Sequence, residues 1–332
     1  MDIKMWGKAL KGIQRVNKQE WDKLDVISKW LIATRGSVLI MTFISGALGG
    51  LFAYLFADFQ WLPWALATFG LIMAHATNNI MNDYSDYSRG VDRDNYFRAQ
   101  YGAHPLEHGL MTKGQTLKYA MVTLLLGLIP GAYLVATHFP GALILMGLGL
   151  FFVFFYTWPL KYIGLGEIAV ILVWGPLMIG GTFFVITDIW SWKIVLFSLP
   201  YALSTTIVIF GKHIDKLEID KAKRINTLPV LLGEKNSRYL AIAMMVVQYL
   251  LVIYFVLAGY FSWVLLIVLL AIPRFVKVSK IYSKPRPTKA PADFPQEAWP
   301  LYLVAYAFRH NRLYGLLFML GLIVEVVMKM VN

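Results

Sequence analysis

The sequence predicts an all-α integral membrane protein with about nine transmembrane helices. Three observations support this class: the composition, the spacing of the apolar segments and the placement of the basic residues. Of the 332 residues, 58% are hydrophobic and 15% are charged, and the mean hydropathy is +0.59. Soluble domains are typically about 45–50% apolar and about 25% charged. The chain has no cysteine, which excludes disulfides and thiolate metal sites.

Residues 1–36 are predicted to form a cytoplasmic amphipathic segment. Apolar residues recur there at roughly helical spacing among lysines, a pattern typical of helices that lie on a membrane surface. The rest of the chain, 37–332, is predicted to be a single transmembrane domain, since each span requires about 20 apolar residues. The predicted spans are 37–57, 61–82, 118–137, 141–157, 167–187, 194–211, 239–258, 260–273 and 313–330.

The net charge of +12 follows from where lysine and arginine are placed. With the N-terminus inside, 29 of the 31 basic residues fall in predicted cytoplasmic segments, and only Lys193 and Lys329 do not. Cytoplasmic loops of membrane proteins carry this excess, so nucleic-acid binding is not needed to explain the charge. We expect a protein in contact with membrane lipids, in a bacterial or archaeal cell membrane, whose chemistry lies on the cytoplasmic face.

The stretch NNIMNDYSDYSRGVD, residues 78–92, brings acids and amides to the end of the second predicted span. Asn79, Asp83 and Asp86 are spaced i, i+4 and i+7, and Asn82 precedes Asp86 by four residues. Side chains at these spacings share one face of a helix. The pattern therefore predicts a cluster of oxygen ligands at a membrane boundary.

Carboxylates crowded at such a boundary repel one another, and desolvation adds to the cost. One interpretation is an ion-pair network with Arg89 and Arg93; the other is a bound divalent cation. Mg²⁺ prefers hard oxygen ligands, with one or two carboxylates and substrate phosphates completing its shell. We favour Mg²⁺, with Asp92 as a further ligand because Gly90 allows the chain to turn back.

These residues resemble a known family. NIMNDYSDYSRGVD is similar to the first aspartate-rich motif of the UbiA superfamily of intramembrane prenyltransferases, in the form of the 1,4-dihydroxy-2-naphthoate (menaquinone) branch. Three later stretches, which begin at His104, Tyr156 and Ile225, resemble the same branch in order: HPLEHGLMT, YTWPLKYIGLGEIAVILVWGPLMIGGTFFV and INTLPVLLG. The family more usually has arginine where His104 stands. The resemblance covers about residues 35 to 240.

The resemblance implies a nine-helix bundle around a central cavity, so that 37–332 would be one prenyltransferase domain. It implies Mg²⁺-dependent transfer of a polyprenyl group from an isoprenoid diphosphate to a small aromatic acceptor, with 1,4-dihydroxy-2-naphthoate favoured. Another acceptor, such as a hydroxybenzoate, a glycerol phosphate lipid or a tetrapyrrole, is the alternative. A cation-coupled transporter is a third interpretation, but it would place acids near mid-span, whereas here they end helices.

The second aspartate motif departs from the branch. The branch has approximately Arg-Asp-x-Glu-x-Asp-Arg, and Glu218 and Asp220 match it, but Asp215-Lys216 is inverted. On a regular helix Asp215 and Asp220 would lie about 140° apart. Three interpretations stay open. Asp215 and Glu218 bind metal, a helix irregularity reunites Asp215 with Asp220, or Lys212 or Lys216 binds diphosphate directly.

The remaining candidates surround the same helix ends. The resemblance places a functional tyrosine near Tyr156, and aromatic faces stabilise an allylic cation, so Tyr156 joins Asp83 and Asp86 as a predicted catalytic residue. The predicted substrate contacts, which could meet a diphosphate or its metal, are Asn79, Asn82, Lys161, Arg35 and Lys212. His75 lies inside a span, where a packed role is favoured over a chemical one.

Overall fold

The computed structural model describes residues 1–92 and 97–331, and these residues fold into helices joined by turns and loops. Three short helices open the chain: α1 (Ile3–Lys11), α2 (Lys18–Lys23) and α3 (Val26–Ala33). Asn17 and Glu20 form a capping box that satisfies backbone N–H groups at the start of α2. Trp21 and Leu31 are buried in a cluster with the segment 103–111. The opening helices are thereby attached to a loop from the first half of the bundle.

The body of the molecule consists of longer helices. In chain order they are α4 (Ile40–Phe56), α5 (Trp61–Ser88), α6 (Phe97–Gln100), α7 (Lys113–Thr137), α8 (Gly141–Phe155), α9 (Gly166–Leu172), a π-helical stretch (Val173–Gly180), α10 (Gly181–Thr187), α11 (Trp192–Asp215), α12 (Leu217–Ala222), α13 (Leu228–Leu232), α14 (Glu234–Leu257), α15 (Ile272–Tyr282) and α16 (Leu303–Val331). Four 3₁₀ turns lie at Gly36–Val38, Leu160–Ile163, Trp263–Ala271 and Gln296–Ala298.

Within the described ranges, six helices are long and apolar enough to cross a membrane. They are Gly36–Phe56, Lys113–Thr137, Gly166–Thr187, Trp192–Asp215, Glu234–Leu257 and Leu303–Val331. Gly141–Phe155 is a shorter apolar helix, and α5 has 28 residues but a polar C-terminal part. The predicted class, an all-α integral membrane protein, is confirmed, while the count of nine spans stays a prediction.

The eighth predicted span, 260–273, is divided in the structure. Trp263–Ala271 is a 3₁₀ helix, and α15 begins directly after it with Pro273 in its first turn. Proline is tolerated there because the first turn of a helix has no intrahelical partner for its N–H groups. The helix type therefore changes after Ala271, and the segment continues through Pro273 as α15 rather than ending there.

One half of the bundle packs tightly around aromatic side chains. The ring centroids of Phe197 and Phe255 are 4.9 Å apart, and Phe52 lies 6.0 Å from Phe197. Gly49 brings α4 against α10, since a Cβ atom there would lie 2.6 Å from the Cβ of Thr182. Small residues permit such close approach of membrane helices. The open space of the bundle lies on its other side, along α5.

Asp215 joins the end of α11 to the start of α16. Its Oδ1 accepts hydrogen bonds from the backbone N–H of Leu303 at 2.9 Å and from Nε of Arg286 at 3.0 Å. Its Oδ2 accepts from the N–H of Val304 at 3.0 Å. A carboxylate at a helix N-terminus satisfies orphan donors and interacts favourably with the helix dipole. Asp215 therefore anchors the last helix of the bundle.

We expect Asp215→Ala to lower the free energy of unfolding by about 3 kcal/mol, because it leaves Arg286 and two backbone N–H groups without their acceptor. Denaturant titration in detergent measures the change. The matched control is Glu218→Ala, since Glu218 is exposed on the adjoining helix and should unfold like the parent. Equal stability of the two variants would contradict the anchoring role.

Candidate active site

A cavity of about 280 Å³ lies between α5, α7, α8, the stretch from α9 to α10, and α11. Along α5 its lining extends from Leu66 to Asp86, which corresponds to about 30 Å of helix. Most of the wall is apolar, and the polar side chains gather where α5 and α11 end. We call this region, lined by Asn79, Asp86 and Lys212 among others, the polar end of the cavity. Its shape suits a ligand with a polar head and a long apolar tail.

Asn79, Asn82 and Asp86 line the polar end from α5. Asn79 is held in place by reciprocal bonds with the turn before α4: Nη2 of Arg35 donates to the Asn79 carbonyl at 2.8 Å, and Nδ2 of Asn79 donates to the carbonyl of Thr34 at 2.9 Å. Arg35 adopts a left-handed conformation with φ of +56°, which is uncommon outside glycine. The turn thus directs the Arg35 side chain towards α5.

Basic side chains outnumber acidic ones at the polar end. They are Arg35, Arg98, Lys161, Lys212 and Lys216. Among the described residues that line the cavity, Asp86 is the one carboxylate, and Nζ of Lys161 contacts its two oxygens at 3.0 and 2.7 Å. Lys212 makes no ion pair with any residue in the described ranges. This excess of positive charge favours a ligand that carries several negative charges.

Two guanidinium donors at the polar end are unsatisfied. Nε of Arg35 and Nη1 of Arg98 are buried and find no hydrogen-bond acceptor within the part of the chain that is described. The other nitrogens of Arg98 bind Asp83, with Nε at 3.1 Å from Oδ1 and Nη2 at 2.7 Å from Oδ2. Burial opposes the charge of Arg98, but the Asp83 carboxylate raises the pKa of this guanidinium above its usual value. The arginine stays charged, with one donor left for a ligand.

Asp83 does not line the cavity, unlike its neighbours on α5. Its carboxylate turns towards Arg98, and Nη2 of Arg35 lies 3.4 Å from its Oδ1. The predicted ionic partner Arg89 instead lies over the ring of Trp158, 4.4 Å from its centroid, and Arg93 lies outside the described residues. Asp83 is thus paired with two arginines that lie outside its own helix, and the residue spacing along that helix did not identify them.

Asp92 returns to the protein interior, and the turn that brings it there contains Gly90 at φ of +71°. Its Oδ2 lies 2.8 Å from Nε2 of His104, and both residues are fully buried. Its Oδ1 is buried without a hydrogen bond inside the described ranges. Asp92 does not line the cavity, so it lies behind the polar end, within electrostatic reach of Arg98.

The acids of the second motif are not brought together. The helix does break, between α11 and α12 at Lys216, but the break does not unite Asp215 with Asp220. Asp215 is bound to Arg286 and α16, Glu218 is exposed, and Asp220 is buried with its Oδ2 2.9 Å from Nζ of Lys216. Lys212 and Lys216 line the cavity. Of the three open interpretations, this placement favours direct contact between the lysines and an anionic ligand.

Some lining residues were not selected from the sequence. Arg98, Tyr101 and His213 line the polar end, and Tyr156 does so as expected. His213 shares a stripe with Ile209, Lys212 and Lys216, at spacings i, i+3, i+4 and i+7, so helical periodicity could have found it. Arg98 belongs to the four-residue helix α6, which has no such pattern. His75 also lines the cavity, where its Nδ1 lies 2.7 Å from Oγ1 of Thr42.

The donors at the polar end fit Mg²⁺ in a particular way. Asn79, Asn82 and Asp86 line the cavity, and amide and carboxylate oxygens are the ligands that Mg²⁺ prefers. Within the described residues, no three His, Asp or Glu side chains converge on a metal position. Because Mg²⁺ usually takes one or two carboxylates and completes its shell with phosphates and water, these residues fit a cation that is shared with a diphosphate.

Comparisons with known proteins show related sequences and related folds. The sequence model of the UbiA prenyltransferase family matches residues 42–322. A 1,4-dihydroxy-2-naphthoate octaprenyltransferase of Bacillus subtilis (strain 168) is 26% identical over 299 residues, covering 88% of this chain and 91% of the relative. A solved UbiA homolog from Aeropyrum pernix K1 superposes with a TM-score of 0.65 at 18% identity, over 87% of this chain and 98% of that one. A solved UbiA homolog from Archaeoglobus fulgidus, bound to GPP and Mg²⁺, superposes with a TM-score of 0.57 at 15% identity, over 88% of this chain and 99% of that one.

The pair of Asp83 and Arg98 should behave as one unit. We expect Asp83→Ala and Arg98→Ala each to lower the free energy of unfolding by about 3–5 kcal/mol, because the first leaves the buried guanidinium of Arg98 without its carboxylate and the second leaves Asp83 with only the longer contact to Arg35. The double variant should lose less than the sum. Denaturant titration in detergent provides the cycle. Arg89→Ala, which removes an exposed arginine, should combine additively with Asp83→Ala. Additive losses for Asp83 and Arg98 would refute the coupling.

Proposed function

The chain belongs to the UbiA prenyltransferase family and is a membrane-embedded polyprenyl transferase, and from this premise we propose that it transfers a polyprenyl group from an isoprenoid diphosphate to 1,4-dihydroxy-2-naphthoate. The observation that carries the proposal is the surplus of basic side chains at one end of an apolar cavity, where two guanidinium donors find no acceptor among the described residues. The Bacillus subtilis relative, named for this acceptor, supports the aromatic class.

The substrate is oriented by the polarity of the cavity. Its diphosphate lies at the polar end, where Arg35, Lys161 and Lys212 provide donors, and its polyprenyl tail follows the apolar wall of α5. Basic residues concentrate on predicted cytoplasmic segments, so we assign the polar end to the cytoplasmic face. The diphosphate thus enters from the water phase while the tail remains among apolar side chains.

Mg²⁺, when bound, would be held by Asn79, Asn82 and Asp86 together with the diphosphate, and it would supply neutralisation of the leaving group. The Archaeoglobus fulgidus homolog was solved with GPP and Mg²⁺, which supports this cofactor. Asp83 and Asp92 lie behind that set, where they hold Arg98 and His104. We leave Asp215 out of the ligand set because its two oxygens are used to anchor α16.

The side chains of the cavity favour cleavage of the allylic C–O bond. Negative charge grows on the diphosphate as this bond breaks, and preorganised cations such as Arg35 and Lys212 stabilise it. Tyr156 and Trp174 line the cavity nearby, where aromatic faces can stabilise an allylic cation without reacting with it. The apolar walls exclude water, which would otherwise capture the cation.

We expect purified protein to release diphosphate from geranylgeranyl or longer diphosphates only when Mg²⁺ is present, and to form a prenylated product with 1,4-dihydroxy-2-naphthoate. Mass spectrometry of the products from a panel of acceptors measures this. The panel contains a hydroxybenzoate, a glycerol phosphate lipid and a tetrapyrrole, which separate the alternatives. Chelation with EDTA should stop the reaction. Absence of any prenylated product across the panel would refute the proposal.

Lys212→Gln should raise the KM for the prenyl diphosphate by about tenfold or more, because a hydrogen bond to a charged group is worth about 1.5–3 kcal/mol. Initial rates at varied diphosphate concentration measure the change. Lys221→Gln is the matched control, since Lys221 is exposed on α12 and does not line the cavity. A similar KM for both variants would show that Lys212 does not bind the diphosphate.

A further inference from the structure

A buried pair of side chains, Glu167 and His213, lies at the polar end of the cavity, where His213 lines the wall and Glu167 lies behind it. Nδ1 of His213 is hydrogen-bonded to Oε1 of Glu167, and the exposed fractions of the two residues are only 2% and 1%. The second carboxylate oxygen, Oε2, accepts the backbone N–H of Leu228 at 3.3 Å. The pair therefore joins α9, α11 and α13 at the edge of the polar end.

The contact with Glu167 determines which nitrogen of His213 faces the cavity. A carboxylate accepts a hydrogen bond, so Nδ1 must carry the proton, and the lone pair of the neutral ring lies on Nε2. His213 lines the cavity, and its Nε2 has no hydrogen-bond partner within the described residues. The cavity wall thus offers a fixed acceptor to whatever lies beside it.

The position of His213 on α11 places this acceptor beside the diphosphate region. Lys212 precedes it and Lys216 follows it by one turn, and all three residues line the cavity. Tyr156 lines the same region and lies within electrostatic reach of Glu167 and Lys216. A flat ring held between Tyr156 and His213 would lie next to the allylic end of a diphosphate bound by the lysines.

We propose that the imidazole of His213, oriented by Glu167, accepts a hydrogen bond from a ring hydroxyl of the acceptor and so selects hydroxylated aromatic rings. The proposal rests on the prenyl transfer proposed above and adds the group that recognises the acceptor. His213 would touch the acceptor directly, whereas Glu167 is a positioning residue that acts through it.

The same contact assists bond formation. The allylic C–O bond breaks with its electron pair leaving on the diphosphate, and the ring carbon next to the hydroxyl-bearing carbon forms the new C–C bond. As this happens the hydroxyl proton passes to Nε2, which leaves a neutral dienone. The ring carbon then loses its own hydrogen as a proton to the released diphosphate, or its carboxyl group as CO₂ when it carries one. The oxygen recovers a proton from the imidazolium, and the aromatic ring is restored.

The test compares a hydroxylated acceptor with its O-methyl ether in the unmodified protein and in His213→Asn. Asparagine can still donate from its side-chain nitrogen to Glu167, but it has no atom at the position of Nε2, so the pair is kept and the acceptor is removed. We expect the unmodified protein to prefer the hydroxylated ring by about 100-fold in kcat/KM. His213→Asn should lose most of that preference, while its KM for the prenyl diphosphate stays within about twofold.

Two further variants examine positioning. His213→Gln, whose carbonyl can reach towards the position of Nε2, should recover part of the preference. Glu167→Leu should lower kcat/KM for the hydroxylated acceptor, and Glu167→Gln, whose carbonyl oxygen still accepts from Nδ1, should restore it. If the role of the pair were only structural, these substitutions would lower the stability of the protein without changing its preference between the two acceptors.

Failure of this inference differs from failure of the proposed function. If the unmodified protein prenylates the ring and its methyl ether equally well, His213 does not read the hydroxyl, whether or not any variant folds. If His213→Asn folds and keeps the full preference, the inference is equally refuted. If the unmodified protein prenylates no aromatic ring at all, the proposed function itself is wrong.

Discussion

Positive charge concentrated at one end of an apolar cavity is the constraint on which the rest of the structure depends. Cations at the edge of a low-dielectric interior are costly unless they are paired. Four of the five lining cations contact acids: Arg98 and Arg35 contact Asp83, Lys161 contacts Asp86 and Lys216 contacts Asp220. The acids partly neutralise these cations and keep each in one position. Enough positive charge remains uncompensated to attract a polyanionic ligand.

The surrounding chain holds this charged region together from several directions. Nη2 of Arg15, from the opening segment, donates to the carbonyls of Gln100 at 3.0 Å and Glu297 at 2.9 Å. Arg286, from the loop before α16, reaches the end of α11 through Asp215. Segments from the beginning, middle and end of the chain thus meet at the polar end. The loop before α16 thus connects α11 with the opening segment.

The two walls of the polar end differ in chemistry, and this difference suggests how two substrates are kept apart. The α5 wall carries amide and carboxylate oxygens, Asn79, Asn82 and Asp86, which suit a metal shared with phosphates. The other wall carries Lys212 and His213, with Glu167 behind the histidine, and these suit an anion and a hydroxylated ring. Holding both reactants in one water-poor space would provide proximity, which accounts for a large part of catalysis in bimolecular reactions.

The sequence alone determined the membrane class, the α5 stripe and most of the charged and amide side chains at the polar end, because hydropathy and helical periodicity are local properties. Asn79, Asn82 and Asp86 were found in this way, and so was Lys212 through its motif. Tertiary structure decided which acids face the cavity. Asp83 turns to Arg98, 15 residues away, and Asp215 turns to Arg286, 71 residues away. Such partners are set by how distant segments pack, and no spacing within one helix encodes them.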